Sequence, residues 1–263
     1  MKKIAFIADF YRDEVPGGGE SNDKNLINHL QQISDIKCFK SSNVSPNQLE
    51  LFDFVIVGNF VMLPEETKQE LIKNKNYIIY EHDHKYVKTR DPSKYPNFKI
   101  PDSDIINRHF YANAKAVVVL SNICKKVLLE TIPECNVYNI GCSLWSEESL
   151  KKIESLSSTK KRGFCIMKSN NPTKNYLNTI EFCKSREIDA THINSDSYFS
   201  FLEMLSSHKT FIFLPTVLET FSRVCVEAKM MNVNTMTNGK MIGFFSEGYS
   251  KFSGIELINK IRQ

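Results

Sequence analysis

Short apolar runs recur along the chain, separated by stretches whose apolar positions return every three or four residues. Lys3–Ala8, Phe54–Val57, Tyr77–Tyr80 and Ala116–Leu120 have strand length, with a shorter run at Asn136–Ile140. Helical spacing between them predicts helices at Ser21–Gln32, with Ser21 or Asn22 as cap, and at Asn122–Thr131. Strand-like runs alternating with helices imply parallel strands joined by crossover helices. From Ser146 to Lys161 the sequence turns polar and charged, which predicts an interdomain connection whose first half can itself be helical. The alternation then restarts, with strands at Gly163–Met167, Ala190–Ile193, Thr210–Leu214 and Val233–Thr237. Helices are predicted at Tyr176–Arg186, Tyr198–Ser206 and Ser222–Met231. The expectation is an α/β protein of two domains, residues 1–147 and 148–263.

Composition narrows the class. A hydrophobic share of 41% and a charged share of 24% are those of an ordinary globular protein. The net charge of +4 suits anionic ligands such as nucleotide phosphates but is too small to argue for nucleic-acid binding without a clustered patch. The seven cysteines are odd in number and contain no C-x-x-C pair, so reduced thiols in a cytoplasmic protein are expected. The apolar run after Lys3 is cut short by Asp9, Arg12, Asp13 and Glu14, which marks it as a buried strand rather than a signal or membrane span.

The most informative segment is Phe211–Lys229. An apolar strand ends at Pro215, a polar loop follows, and a helix begins near Ser222. In open α/β sheets ligands bind at the carboxyl ends of strands, beside helix N-termini whose amides attract anions. Glu219 lies in that loop and Glu227 on the helix, so two carboxylates stand ready for hydroxyl groups while the amides of Thr220, Phe221, Ser222 and Arg223 suit a diphosphate. The alternative is a pair of ordinary solvated acids.

In this segment the chain resembles the retaining glycosyltransferases of family 4 and their GT-B relatives, whose signature is two glutamates separated by seven residues. The resemblance implies two Rossmann-like domains facing each other across a cleft, with Glu219 on the donor sugar and Glu227 on the ribose. It also implies that two basic residues grip the donor phosphates. Lys174 stands at the family's lysine position, and Lys168 stands where an arginine is usual; it offers a point charge without the arginine fork. Arg223 is a further candidate for phosphate. Gly17-Gly18-Gly19-Glu20 follows the first strand, where three glycines permit unusual backbone conformations; the family's equivalent loop borders the donor phosphates, which assigns Gly18 and Gly19 to the donor. A flexible surface turn is the alternative.

Tyr80-Glu81-His82-Asp83-His84-Lys85 ends another apolar strand. Histidine titrates near neutrality and an adjacent carboxylate can orient it. A structural role and a metal site are rival readings, although no Cys/His cluster supports a metal. The family places a His, often followed by Asp, at this strand end, so the resemblance gives His82 and Asp83 catalytic positions. The same wording is similar to that of the phage DNA alpha-glucosyltransferases, GT-B enzymes that modify hydroxymethylated cytosine. The loop from Thr89 to Pro101 follows; Lys85, Lys88, Arg90, Lys94 and Lys99 either meet an acidic acceptor or form a solvated face. Asp102-Ser103-Asp104 has the D-x-D form of GT-A metal sites, but its setting before a helix start argues for capping.

The resemblance therefore implies a metal-independent, retaining transfer from a nucleotide-sugar co-substrate, UDP- or GDP-linked, with no other cofactor. The acceptor would be a glycan, a lipid or modified DNA. A sugar-nucleotide epimerase and a non-catalytic nucleotide-binding module are the alternatives. The chain is shorter than typical relatives, and Tyr249–Gln263 leaves room for one closing helix.

Overall fold

The computed structural model describes residues 2–74 and 76–263. The chain divides into two units, one ending at Leu144 and the other running from Trp145 to Gln263.

The first unit follows the order β1 (Lys3–Ala8), α1 (Gly18–Leu30), β2 (Asp35–Lys40), α2 (Pro46–Leu49), β3 (Phe54–Val57) and α3 (Glu65–Asn74), then β4 (Tyr77–Tyr80), α4 (Arg108–Asn113), β5 (Ala116–Val119), α5 (Asn122–Thr131) and β6 (Val137–Asn139). Its strands form one parallel sheet in the order β2-β1-β3-β4-β5-β6. Consecutive residues Ile4–Ala8 and Val55–Val57 are buried, as expected where helices cover both faces of a parallel sheet. Strand order reverses between β1 and β3, so their carboxyl ends border a switch point.

The second unit comprises α6 (Glu147–Leu156), β7 (Phe164–Met167), α7 (Tyr176–Ser185), β8 (Ala190–Ile193), α8 (Tyr198–Ser206), β9 (Thr210–Ile212), α9 (Arg223–Met230), β10 (Asn234–Met236) and α10 (Gly254–Arg262). Its parallel sheet runs β10-β9-β7-β8, with the reversal between β7 and β9.

The elements differ from the sequence expectation in informative places. Helix α1 begins at Gly18 instead of Ser21, because Gly17 takes the extended N-cap conformation (φ −85°, ψ 166°) and the glycines enter the first turn. The Ser21 hydroxyl donates back to the Gly17 carbonyl at 2.7 Å and caps nothing. None of the three glycines has positive φ, so the conformational freedom expected of them is not used. Strand β2 carries no apolar run because it is an edge strand, half-exposed and bearing Asp35, Lys37 and Lys40. The polar stretch after Trp145 is a helix in its first half, as the sequence allowed: Ser146 accepts the Ser149 N–H at 3.1 Å, and Leu150 and Ile153 are buried. Arg262 of α10 reaches Glu147 and Glu154 of α6, both at 3.0 Å. Lys161, in the remaining connection, donates to the carbonyls of Thr159 and Ser206 at 3.1 and 3.2 Å, the second of which satisfies the end of α8.

All seven cysteines are free. Burial pushes the thiols of Cys135, Cys165 and Cys225 up to about 12, so they behave as neutral core groups. Among the described residues no helix is long and apolar enough to cross a membrane.

Helix α10 depends on Gly254, which has φ +55° and whose Cβ would lie 2.6 Å from the Asn232 side chain. Gly254→Ala is expected to lower stability by roughly 1–2 kcal/mol from the left-handed conformation alone. Urea midpoints identical to those of the wild type would show that the turn relaxes freely.

Candidate functional site

In the second unit, chemistry gathers at the carboxyl ends of β7 and β9. Asn175, itself left-handed (φ 58°), donates its amide to the Leu214 carbonyl at 2.7 Å, and the Thr216 N–H reaches the Thr173 carbonyl at 3.0 Å. These bonds join the loop after β7 to the loop after β9. Across them the Lys174 ammonium meets Glu219 at 2.7 Å, with Glu219 mostly buried. The Glu219 backbone is held at both ends, its N–H on the Met241 carbonyl and its carbonyl on the Gly243 N–H, both at 2.9 Å. Lys168 is exposed at the end of β7; its side chain forms no hydrogen bond or ion pair among the described residues.

Ser222 begins α9 in the left-handed region (φ 65°, ψ 77°), a costly conformation for a residue with a side chain. Its buried hydroxyl has no hydrogen-bond partner among the described residues, and no side chain caps the helix. The helix therefore presents its positive end beside Thr220 and Glu219. Phe221 is buried against Trp145 and Phe244, so its side chain belongs to the core.

Glu227 is 3% exposed and is held on one oxygen from within its own unit. Its Oε1 accepts the Trp145 indole N–H at 2.9 Å and the Tyr198 hydroxyl at 2.7 Å; Oε2 takes no hydrogen bond among the described residues. Arg223 Nη2 lies 3.7 Å from the same Oε1, while its guanidinium stacks 4.3 Å over the Trp145 ring. Burial, then the Glu227 charge, pushes the Tyr198 hydroxyl far above its ordinary range, so it remains a donor. Trp145 and Tyr198 escaped the sequence reading. The one available signal was a lone tryptophan at the edge of a polar stretch.

In the first unit a second cluster forms where β1, β3 and β4 end. Asp9 is buried and accepts the Ser41 hydroxyl and the N–H groups of Val61 and Met62, at 2.9 and 3.0 Å, which ties three strand ends together. After β4, Glu81 accepts the Lys85 ammonium at 2.9 Å, the Asp83 N–H at 2.6 Å and the Tyr111 hydroxyl. Both members of the Glu81–Lys85 pair are 2% exposed. Burial pulls Glu81 upward, but Lys85, Tyr111 and the Asp83 amide outweigh it and bring the carboxyl down to about 2. Lys85 therefore belongs to the core and is removed from the cations expected to meet an acceptor. Lys88, Arg90, Lys94 and Lys99 are exposed.

This clamp shapes the turn that carries the predicted residues. Asp83 pairs with Arg90 of the following loop, and His84 takes φ 54° with Nδ1 3.1 Å from the Tyr86 hydroxyl. His82 Nε2 lies 2.6 Å from Asp23 of α1. Gly19 lies against the His82 ring; Gly18, at the opening of α1, has no described contact with it. Glu20 folds back over the helix end, its carboxylate 2.0 Å from where a Gly17 Cβ would stand, and burial raises its pKa. Asp102–Asp104 forms a short 3-10 turn in which Asp104 accepts the Tyr95 hydroxyl at 2.8 Å and Asp102 is 3.6 Å from Arg108. No group of three or more His, Cys, Asp or Glu side chains among the described residues is arranged to hold a metal ion.

No family model and no curated protein matches the chain by sequence. Solved structures do resemble it along most of its length. An alpha-glucosyltransferase in complex with UDP and a 13-mer DNA containing an HMU base gives a TM-score of 0.54 at 11% identity, covering 99% of this chain and 90% of that one. Sucrose-phosphate synthase from Thermosynechococcus elongatus gives 0.56 at 8% identity, covering 90% and 81%. UDP-GlcNAc 2-epimerase from Methanocaldococcus jannaschii, in complex with UDP-GlcNAc and UDP, gives 0.51 at 13% identity, covering 89% and 83%. The chain shares the fold of these proteins, two parallel α/β sheets in series, which is the GT-B fold.

Removing one partner of the Glu81–Lys85 pair strands a charge in the core. Lys85→Met is expected to cost about 3–5 kcal/mol at neutral pH. Because Glu81 is depressed in the fold, the wild-type advantage is present above the unfolded carboxyl value and is lost as pH falls toward about 2. Urea unfolding at pH 7 and pH 3 checks both; an equal loss at the two pH values would rule out the ion pair as its source.

Proposed function

We propose that the chain is a retaining, metal-independent glycosyltransferase whose second unit binds a nucleotide-sugar, with UDP as the preferred carrier. The observation that carries this reading is the arrangement at the β7–β9 switch point. Lys174, a mostly buried carboxylate, an uncapped helix start with a strained serine, and a pre-oriented second carboxylate occur together within one unit. Strain and an unpartnered buried hydroxyl are costs that a ligand can repay.

The chemistry follows from the charges. A diphosphate arriving at α9 meets the helix amides and the point charges of Lys168 and Lys174. Lys174, held by Glu219 at 2.7 Å, exchanges that carboxylate for phosphate and leaves Glu219 to accept hydroxyls of the donor sugar. Glu227 offers Oε2 to the ribose while Trp145 and Tyr198 hold Oε1. Departure of the nucleotide is then favoured electrostatically, by groups already in place as negative charge develops on the diphosphate. The first unit contributes His82 and Asp83 to acceptor recognition, and the exposed Lys88, Arg90, Lys94 and Lys99 favour an acidic acceptor such as modified DNA over a neutral glycan or lipid. The UDP carrier and the DNA acceptor are supported by the fold shared with an alpha-glucosyltransferase described with both. An epimerase is the second reading, favoured by the likeness to UDP-GlcNAc 2-epimerase.

A thermal-shift series with UDP, GDP and UDP-sugars tests the donor site. A ligand at 100 times its Kd adds about 2.7 kcal/mol and raises Tm accordingly. Wild type is expected to respond to UDP, Lys174→Met to lose most of the shift, and Glu227→Gln, which keeps an acceptor for Trp145 and Tyr198, to fold normally but respond weakly. No shift with any nucleotide would defeat the reading. A C2-epimerised nucleotide sugar formed without acceptor would replace it with the epimerase.

A further inference from the structure

The first unit contains a buried acid that neither the sequence pattern nor the family resemblance singles out. Asp23 is 2% exposed and lies on the second turn of α1. It is four residues after Gly19, so both fall on one helix face. That face meets His82. A Cβ on Gly19 would be 3.8 Å from His82 Cβ and Cγ, and Asp23 Oδ1 is 2.6 Å from His82 Nε2. The ring also meets Tyr80 in a T-shaped contact with centroids 4.6 Å apart. Tyr80 is itself fixed by Asn22 of the same helix, whose amide donates to its hydroxyl at 2.6 Å. The other Asp23 oxygen, Oδ2, packs where β3 ends. A Cβ on Gly58 would come within 3.1 Å of it and 3.3 Å of the Phe6 ring, so the missing side chain makes room for the carboxylate.

We propose that Asp23 is the positioning residue of His82, fixing the orientation of the imidazole through its bond to Nε2. A histidine held this way presents a set orientation, and the adjacent carboxylate favours its charged form, whereas an unpaired ring would be free to turn. Burial alone works against the charged ring, as does Lys85; Asp23 and, more weakly, Glu81 oppose them, and the balance raises His82 above the ordinary histidine value of 6.5. Glu20 on α1 and Asp83 in the same turn are the other charged groups nearby, and Asp83 is engaged by Arg90. Its kinetic consequence rests on the transferase reading; the pairing itself does not.

The test titrates the His82 imidazole by NMR in wild type, Asp23→Asn and Gly58→Ala, and measures the pH profile of nucleotide-sugar turnover in the same proteins. In wild type the His82 midpoint is expected above 6.5. Asp23→Asn moves it down, shifts the His82-dependent limb of the pH profile the same way, and lowers kcat by up to about 100-fold with little change in donor KM. Gly58→Ala, which crowds the carboxylate without removing it, produces a smaller shift in the same direction. A wild-type midpoint at or below 6.5, or one unmoved in Asp23→Asn, overturns the pairing. If Asp23→Asn does not fold, the wild-type and Gly58→Ala titrations decide. Absence of nucleotide binding and turnover in wild type, with the titration shift intact, would refute the transferase reading and leave the pairing standing.

Discussion

Both units depend on one constraint: every strand runs parallel to its neighbours. A parallel pair needs a crossover, and the crossover returns each chain segment to the same edge before the next strand begins. All strand-to-helix loops of a unit therefore open at one edge of its sheet. The residues with the richest chemistry here are on those loops or in the first turns of the helices after them. Lys168, Lys174, Glu219 and Ser222 follow β7 and β9, while Asp9, Gly19, Asp23 and His82 follow β1 and β4. The reversal of strand order in each sheet separates adjacent loops and makes space between them.

Placing polar groups at such an edge is costly unless each has a partner, and the two units meet that cost differently. In the first, buried charge is balanced locally. Glu81 has Lys85, Tyr111 and a backbone amide; Asp9 has a serine and two amides; His82 has Asp23. The result is a rigid rim in which turn geometry is set by electrostatics. In the second, among the described residues, Glu227 accepts hydrogen bonds on one oxygen only, Ser222 is strained with its hydroxyl unpartnered, and the Lys168 side chain has no partner. The first unit is not fully satisfied either: Asn59 Oδ1, just past β3, is buried with no hydrogen-bond partner among the described residues.

Single side chains link these features to the fold around them. Trp145 opens the second unit, covers Phe221, stacks on Arg223 and donates to Glu227, so one residue joins core packing to the carboxylate. Asn22 does similar work in the first unit, binding Tyr80, Ser143 and the Leu144 amide and so tying α1 to the end of β4 and to the last residues of the unit.

The sequence by itself determined the alternation of strands and helices, the two-unit order, and the strand–loop–helix carrying Glu219 and Glu227. Those features rest on apolar periodicity and local spacing, which a linear reading records directly. Edge strand β2 was hidden because one unpaired side lets charged residues occupy it. The glycines before α1 looked like a loop because composition shows what a backbone permits, and here helical dihedrals, equally open to glycine, were adopted. Asp23 carried no signal in the sequence, and Lys85 read as one of a run of loop cations. Only the tertiary structure decided that both are buried, because burial of a charge depends on a partner that is distant in sequence or placed by the turn between them, as His82 stands to Asp23 and Glu81 to Lys85.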